Sequence, residues 1–426
     1  MNNLIFFRTP FNYIQNLRRK FTRVINFGLE SVKSYKKRSV VFLYNSYYHF
    51  YYLAKALRKR GWDAVSVSYE DPINGPNVNY YHGEDINLFS PDPIKFRKDI
   101  EKFYKMALYR FSLLHFAGDG LLSFFPENWY KDDPEDIIYW RSMGKKVAYT
   151  VSGCNSCISQ SSFAEWSKLD AKKPACDSCR WQFEPDVCSD EKNLKWGIKV
   201  KKYCDLICAE TLPALDYLRS EKTVFNPLTM CLDPDLWKPD LEIPERFRIH
   251  RSVNEFFVYH AVGNYKTRTR EDGSNIKGTP AIMSAVKRLQ NEGLNIRLIF
   301  ATDMKNYEVR YIQAQADVII DQLILGLYGA TAREGMMLGK PVICYLNLKG
   351  NEDKKYDMQW KGEVPLVSAT EETIYFVLKD LLQHPEKRYN IGQASRKYAM
   401  KWHSADACAE RYEKKYDELF NIEDDK

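Results

Sequence analysis

Unbroken apolar runs that alternate with helix-period segments constrain this fold more than any other feature of the chain. VVFLYN, beginning at Val40, is apolar up to its last residue, as a strand covered on both faces of a parallel sheet must be. FYYLAKALRKRG follows as a helix that stops at Gly61, and AVSVS is a second strand. FSLLHFAG gives another strand, with His115 and Asp119 at its end. DPEDIIYWRSMG reads as a helix, with Pro134 near its start and Gly144 as its stop, and leads into the strand KKVAYT. YCDLICAE and TLPALDYLRS repeat the step. A second alternation begins at FFVYHAVG and runs through TPAIMSAVKRLQNEG, NIRLIFAT, ADVIID and PVICYL to helices near 371–383, 386–402 and 405–420. Between the two lies CLDPDLWKPDLEIPERF, rich in proline and acid and without sustained periodicity.

This order predicts an α/β chain of two Rossmann-like domains facing a cleft. The expected divisions are a first domain over 39–235, a linker over 236–253, a second domain over 254–404, and a C-terminal helix, 405–426, crossing back to the first. A chain of 426 residues is also too long for one comfortable core. Ligands are expected in the cleft, at the carboxyl ends of the strands.

The net charge of +7 is uneven: residues 1–38 hold nine Lys/Arg and the single acid Glu30, so the rest of the chain is within one charge of neutral. Phe11, Ile14, Leu17, Phe21, Val24, Ile25, Val32 and Tyr35 recur at spacings that fit one helical face. A basic amphipathic helix suits an anionic membrane surface, at ~1 kcal/mol per Lys/Arg near the headgroups. A helix packed on the protein's own body is the alternative, and no motif supports a nucleic-acid partner. No apolar run reaches the 18 or so residues of a membrane span, and Arg8 breaks LIFF as a signal core. A cytoplasmic chain, peripheral at a membrane face, is the expectation.

Ten cysteines without an export signal point to reduced thiols or metal ligands. Cys154-x2-Cys157 and Cys176-x2-Cys179, within an insert over 153–190, have the spacing of a four-thiolate zinc site, with Cys188 able to replace one ligand. Zinc binding of ~10–16 kcal/mol is enough to order a polar loop. A redox pair, an iron–sulfur cluster and unliganded thiols are the other readings. Catalytic zinc is disfavoured, because no His lies between Cys154 and Cys188.

In YGATAREGMMLGKPVICYL, Tyr328-Gly329 opens a helix and Glu334 lies a turn or so inside it. A glycine there lets backbone N–H groups approach a phosphate, and a carboxylate further in can hold a ribose diol. The stretch resembles the C-terminal domain of GT-B glycosyltransferases of the "glycosyl transferases group 1" type. In that family a Glu, seven residues and a second Glu precede a Gly-x-Pro-Val strand. Glu334-GMMLGKPV matches the second half, which implies a ribose contact for Glu334; the first Glu falls on Gly326, and Asp321 and Gln322 are the nearby substitutes. VGNYKTRTREDGSNIKGTP is similar to the family's diphosphate clamp, implying Lys277-Gly278 with Arg268, then Arg270, as partner. HPEKRYNIGQASRKYAMKWHSADACAERYEKKYDEL resembles its last helices. In LLHFAG and VAYTVSG the likeness is weaker: His115 and Asp119 stand as catalytic candidates, and Ser152 and Asn155 replace an expected His and Asp.

The resemblance implies a hexosyltransferase type of enzyme that transfers a sugar from a nucleotide-sugar donor to a glycan or lipid-linked acceptor. Retention of configuration is implied, with no catalytic divalent metal. A non-catalytic nucleotide-sugar-binding protein and a nucleotide-sugar epimerase of the same fold are the rivals.

Overall fold

The computed structural model describes residues 37–43, 48–75, 84–117, 121–154, 157–168, 173–210, 218–225, 231–348 and 359–422. The first domain carries β1 (Ser39–Leu43), α1 (His49–Lys59), β2 (Asp63–Ser68), β3 (Ile86–Asn87), α2 (Pro93–Arg110) and β4 (Leu113–Ala117). It continues with α3 (Glu135–Ser142), β5 (Lys146–Thr150), α4 (Gln160–Ser167), α5 (Asp190–Tyr203), β6 (Leu206–Ala209) and β7 (Thr223–Phe225). Its sheet runs β3-β2-β1-β4-β5-β6-β7, all parallel. β1 and β4 are buried along their whole length, which is why both read as continuous apolar runs. Helix α2 starts where the Asp92 side chain accepts the Ile94 N–H and Pro93 fills the first turn, and it buries Ile100, Phe103 and Tyr104.

The second domain is built from β8 (Phe256–Ala261), α6 (Thr279–Asn291), β9 (Ile296–Ala301), α7 (Asn306–Gln313), β10 (Val318–Ile320), α8 (Ala330–Met337) and β11 (Val342–Ile343). Helices α9 (Ile374–Gln383), α10 (Pro385–His403) and α11 (Ala405–Phe420) follow. The sheet order is β11-β10-β8-β9, again parallel, so the strand order reverses between β8 and β10. In an open parallel sheet that reversal opens a crevice beyond the strand ends.

Ser404 caps α11, which packs on α1 of the first domain. The Trp62 indole N–H donates to Glu413 at 3.0 Å. One apolar cluster runs through both domains, from Val40, Phe42 and Tyr48 to Tyr259, Ile319, Met336 and Tyr412. The basic leader falls almost wholly outside the described residues. Arg38, counted in it, donates to both oxygens of Asp417 at 3.2 and 2.8 Å, so that cation is tied to α11. Among the described residues no helix is long and apolar enough to cross a membrane.

Candidate functional site

The crevice between β8 and β10 brings together loops that the sequence keeps far apart. Lys277, in the loop after β8, donates to Asp321 Oδ1 at 2.9 Å, and Asp321 follows β10 directly. Its other oxygen accepts the Gly329 N–H at 2.6 Å, at the N-terminus of α8. Asp321 is therefore a buried carboxylate held by an ammonium and a helix N-terminus, two groups that favour negative charge. Gly278 is left-handed (φ 73°), and the Gln322 carbonyl accepts the Tyr345 N–H at 2.8 Å, which fixes the loop behind them.

Glu334 is only 3% exposed. The Tyr48 hydroxyl of the first domain donates to it at 2.7 Å, Gln313 at 2.6 Å and Asn306 at 3.3 Å. Burial raises its pKa, opposed by the hydrogen bonds from Gln313 and Tyr48. The sequence reading expected this carboxylate to hold a ribose. Here three side chains already donate to it, one of them from across the domain boundary. Tyr328 also turns inward: its hydroxyl lies 2.9 Å from the Tyr398 hydroxyl and 3.0 Å from His403 Nε2.

Beside this network a pocket is lined by Glu210, which follows β6, and by Gly326, Arg333, Asn347 and Lys361 of the second domain. Arg333, 1% exposed, places Nη2 2.8 Å from each oxygen of Glu210 and so joins the two domains. Lys361 is 6% exposed, and burial depresses its pKa to about 8, with Glu210 opposing the shift. Among the described residues no hydrogen bond or ion pair reaches its ammonium, which faces the Trp360 ring at 5.3 Å. A buried cation without a hydrogen-bonded counter-ion is costly unless an anion arrives.

Gly326 explains the missing first carboxylate. Its backbone is left-handed (φ 80°), and an added Cβ would lie 2.8 Å from Asn347 Cβ and 3.5 Å from the Trp166 ring. A side chain there would be both strained and overpacked.

His115 is corrected from a cleft residue to a core one. It is fully buried between Tyr416, 2.5 Å from Nδ1, and Thr150, 2.8 Å from Nε2. Burial drops its pKa to about 3, so it is a neutral, hydrogen-bonded core histidine with no face open to a substrate. Asp119 and Asn155 lie outside the described residues, and Ser152 is half-buried beyond β5.

The cysteines divide differently from the sequence pairing. Cys154, Cys176, Cys179 and Cys188 line one pocket, whereas Cys157 is wholly buried among apolar side chains of the first domain. None of the ten is in a disulfide. Among the described residues no three His, Cys, Asp or Glu side chains converge tightly enough to hold a metal ion as they stand, so the expected zinc set is not seen. Arg268 and Arg270 lie within electrostatic reach of Cys179, which places the expected diphosphate partners of Lys277 against the Cys-rich insert.

Tyr48, Gln313, Glu210, Arg333 and Lys361 are the residues that sequence reading missed. Each lies outside the matched motif or, like Arg333, within it without an expected role.

No family model and no curated protein matches the chain. Among solved structures it is similar to a sucrose-phosphate synthase from Thermosynechococcus elongatus, with a TM-score of 0.56 and 14% identity over 91% of this chain and 100% of that one. HepE from Anabaena, in complex with UDP-glucose, gives 0.53 and 13% over 89% and 99%. The catalytic domain of starch synthase IV from Arabidopsis thaliana, bound to ADP and acarbose, gives 0.51 and 12% over 90% and 99%. At such identities the likeness is one of architecture, and the architecture is the GT-B fold: α/β, with two Rossmann-like domains across a cleft.

Proposed function

We propose that this chain is a glycosyltransferase that takes a nucleotide-sugar donor in the cleft between its domains. The observation that carries the reading is Lys361: a buried ammonium with no hydrogen-bonded counter-ion among the described residues, in a pocket both domains line. As the glycosidic bond breaks, negative charge grows on the departing nucleoside diphosphate, and preorganised cations in a water-poor site stabilise it. Lys361 and Arg333 supply such a wall, and Lys277 with the α8 N-terminus supplies a second anion site, now held by Asp321. Solved relatives in fold hold UDP-glucose or ADP, which supports a nucleotide-sugar donor. Transfer with retention, without a catalytic divalent metal, to a glycan or lipid-linked acceptor completes the reading.

The test is a panel of UDP-, ADP-, GDP- and CDP-sugars, scored for thermal stabilisation and then for transfer. Donor affinity is expected to fall as the pH rises past about 8, because Lys361 then loses the proton that attracts the diphosphate. Lys361→Met should bind about tenfold more weakly, the loss of one charge-assisted hydrogen bond, and show no such pH dependence. A donor affinity that is flat across that range in the wild type would remove Lys361 from the site. A panel with no binder would end the reading.

Gly326 favours a second reading, a donor-binding protein without turnover, because the position that carries the family's first carboxylate has no room for a side chain. Binding without transfer or hydrolysis selects it, and donor interconversion without acceptor selects an epimerase. The basic segment 1–38 would bring a lipid-linked acceptor within reach. Flotation with anionic liposomes should be lost when 1–38 is removed, and equal flotation of the shortened chain would discard the membrane reading.

A further inference from the structure

We propose that Cys154, Cys176, Cys179 and Cys188 bind one structural zinc ion, and that this ion orders the Cys-rich insert where it packs against the second domain. Four cysteines from three separate segments line one pocket, and its remaining wall includes Ile276 and Leu325 of the second domain. A cluster of four thiols with no disulfide among them is the soft donor set that zinc takes up in closed, four-coordinate structural sites. Cys176 and Cys179 sit on a tight turn in which the Cys179 N–H donates to the Cys176 carbonyl at 2.9 Å, the backbone form that presents two sulfurs to one side. Cys188 is set by its own N–H, which donates to the Glu184 carbonyl at 2.9 Å, and its sulfur accepts from Asn193 Nδ2 at 3.6 Å. N–H donors to sulfur are the outer contacts that orient thiolate ligands.

The charge around the pocket fits as well. Zinc with four thiolates carries a net charge of −2, each thiol having released its proton to solvent. Arg268 and Arg270 lie within electrostatic reach of Cys179, and Lys192 within reach of Cys188. Arg270 also donates to the Asp177 carbonyl inside the Cys176–Cys179 turn, and Arg180 to the Thr269 carbonyl at 3.4 Å. The loop 268–270 thus holds the insert on both sides of Cys179. The thiol side chains must turn toward the pocket centre to close on the ion, since they do not converge as they stand. Cys157 takes no part, because it is fully buried and does not line the pocket. The inference does not depend on which donor, if any, the cleft holds.

Elemental analysis of full-length protein purified without added metal tests it. One zinc per chain is expected, retained by Cys157→Ser and lost by Cys188→Ser. Should Cys188→Ser fail to fold, chelator treatment of the wild type gives the second readout: thiols protected in the loaded protein become reactive, and the melting temperature falls. Zinc-free protein, iron with sulfide in place of zinc, or retention by Cys188→Ser with loss by Cys157→Ser would each overturn the assignment.

Discussion

Glu210→Ala is expected to destabilise the protein by about 3–5 kcal/mol, the cost of leaving a buried charge without its partner. Arg333 is 1% exposed, and Glu210 accepts from it at 2.8 Å to each oxygen. Burial works against the charge on Arg333, but Glu210 more than offsets it, so the pKa of Arg333 stands above the ordinary guanidinium value. Arg333 cannot escape by losing its proton, and without Glu210 it must stay charged in the interior or pull the domains apart. Arg333→Met should cost less, because the Glu210 side chain is 14% exposed and can reach water. The double variant should be more stable than Glu210→Ala alone, the signature of two groups whose effects do not add. Denaturant unfolding of the three variants measures this. A Glu210→Ala protein within about 1 kcal/mol of wild type would mean that Arg333 finds solvent in solution.

The second large effect is at Glu334. Glu334→Ala removes the acceptor for Tyr48, Gln313 and Asn306 together, and each buried donor left unsatisfied costs about 1–3 kcal/mol, not additively. A total loss near 3–5 kcal/mol is expected. Weaker donor binding in that variant would therefore say nothing about a ribose contact. Glu334→Gln separates the two roles, since the amide keeps the shape and one acceptor oxygen. A ribose contact predicts weaker donor binding at nearly unchanged stability, and a purely structural role predicts unchanged affinity.

The sign of the pH dependence at Glu334 follows from its raised pKa. The folded state holds the proton more tightly than the unfolded chain, whose carboxyl titrates near 4.5. Its contribution to stability is fully present below that value and is lost as the pH rises through the folded pKa. Wild type should therefore lose stability relative to Glu334→Gln over that window. Melting temperatures of the two proteins, measured from acid upward, should diverge there, and parallel curves would show that the carboxyl titrates normally.

Much of the architecture was legible locally. VVFLYN, KKVAYT and FFVYHAVG became strands because a strand covered on both faces has no polar side to advertise, and their apolar runs are continuous. Helix α2 also had its signal, in Asp92, Pro93 and the spacing of Ile100, Phe103, Tyr104 and Ala107, although its segment was not read as a helix. The edge strands β3 and β7 gave no signal: they are two and three residues long and only half-buried. The candidate site was less legible. Cys157 shares its spacing with cysteines that line the pocket but is itself fully buried away from it, and Cys188 has no partner in sequence yet lines the pocket. His115 lies in the middle of β4, and nothing local tells a strand histidine that faces the cleft from one packed under Tyr416.

What the sequence determined by itself was most of the succession of strands and helices and the motif around Glu334, because periodicity, caps and turn residues act over a few neighbours. Only the tertiary structure decided what those side chains meet. Tyr48 reaches Glu334 across 286 residues and Arg333 reaches Glu210 across 123. Such pairings depend on how two sheets face each other, a geometry that leaves no trace in local spacing, and they bury Glu334 and Arg333 in hydrogen-bonded contacts between the domains.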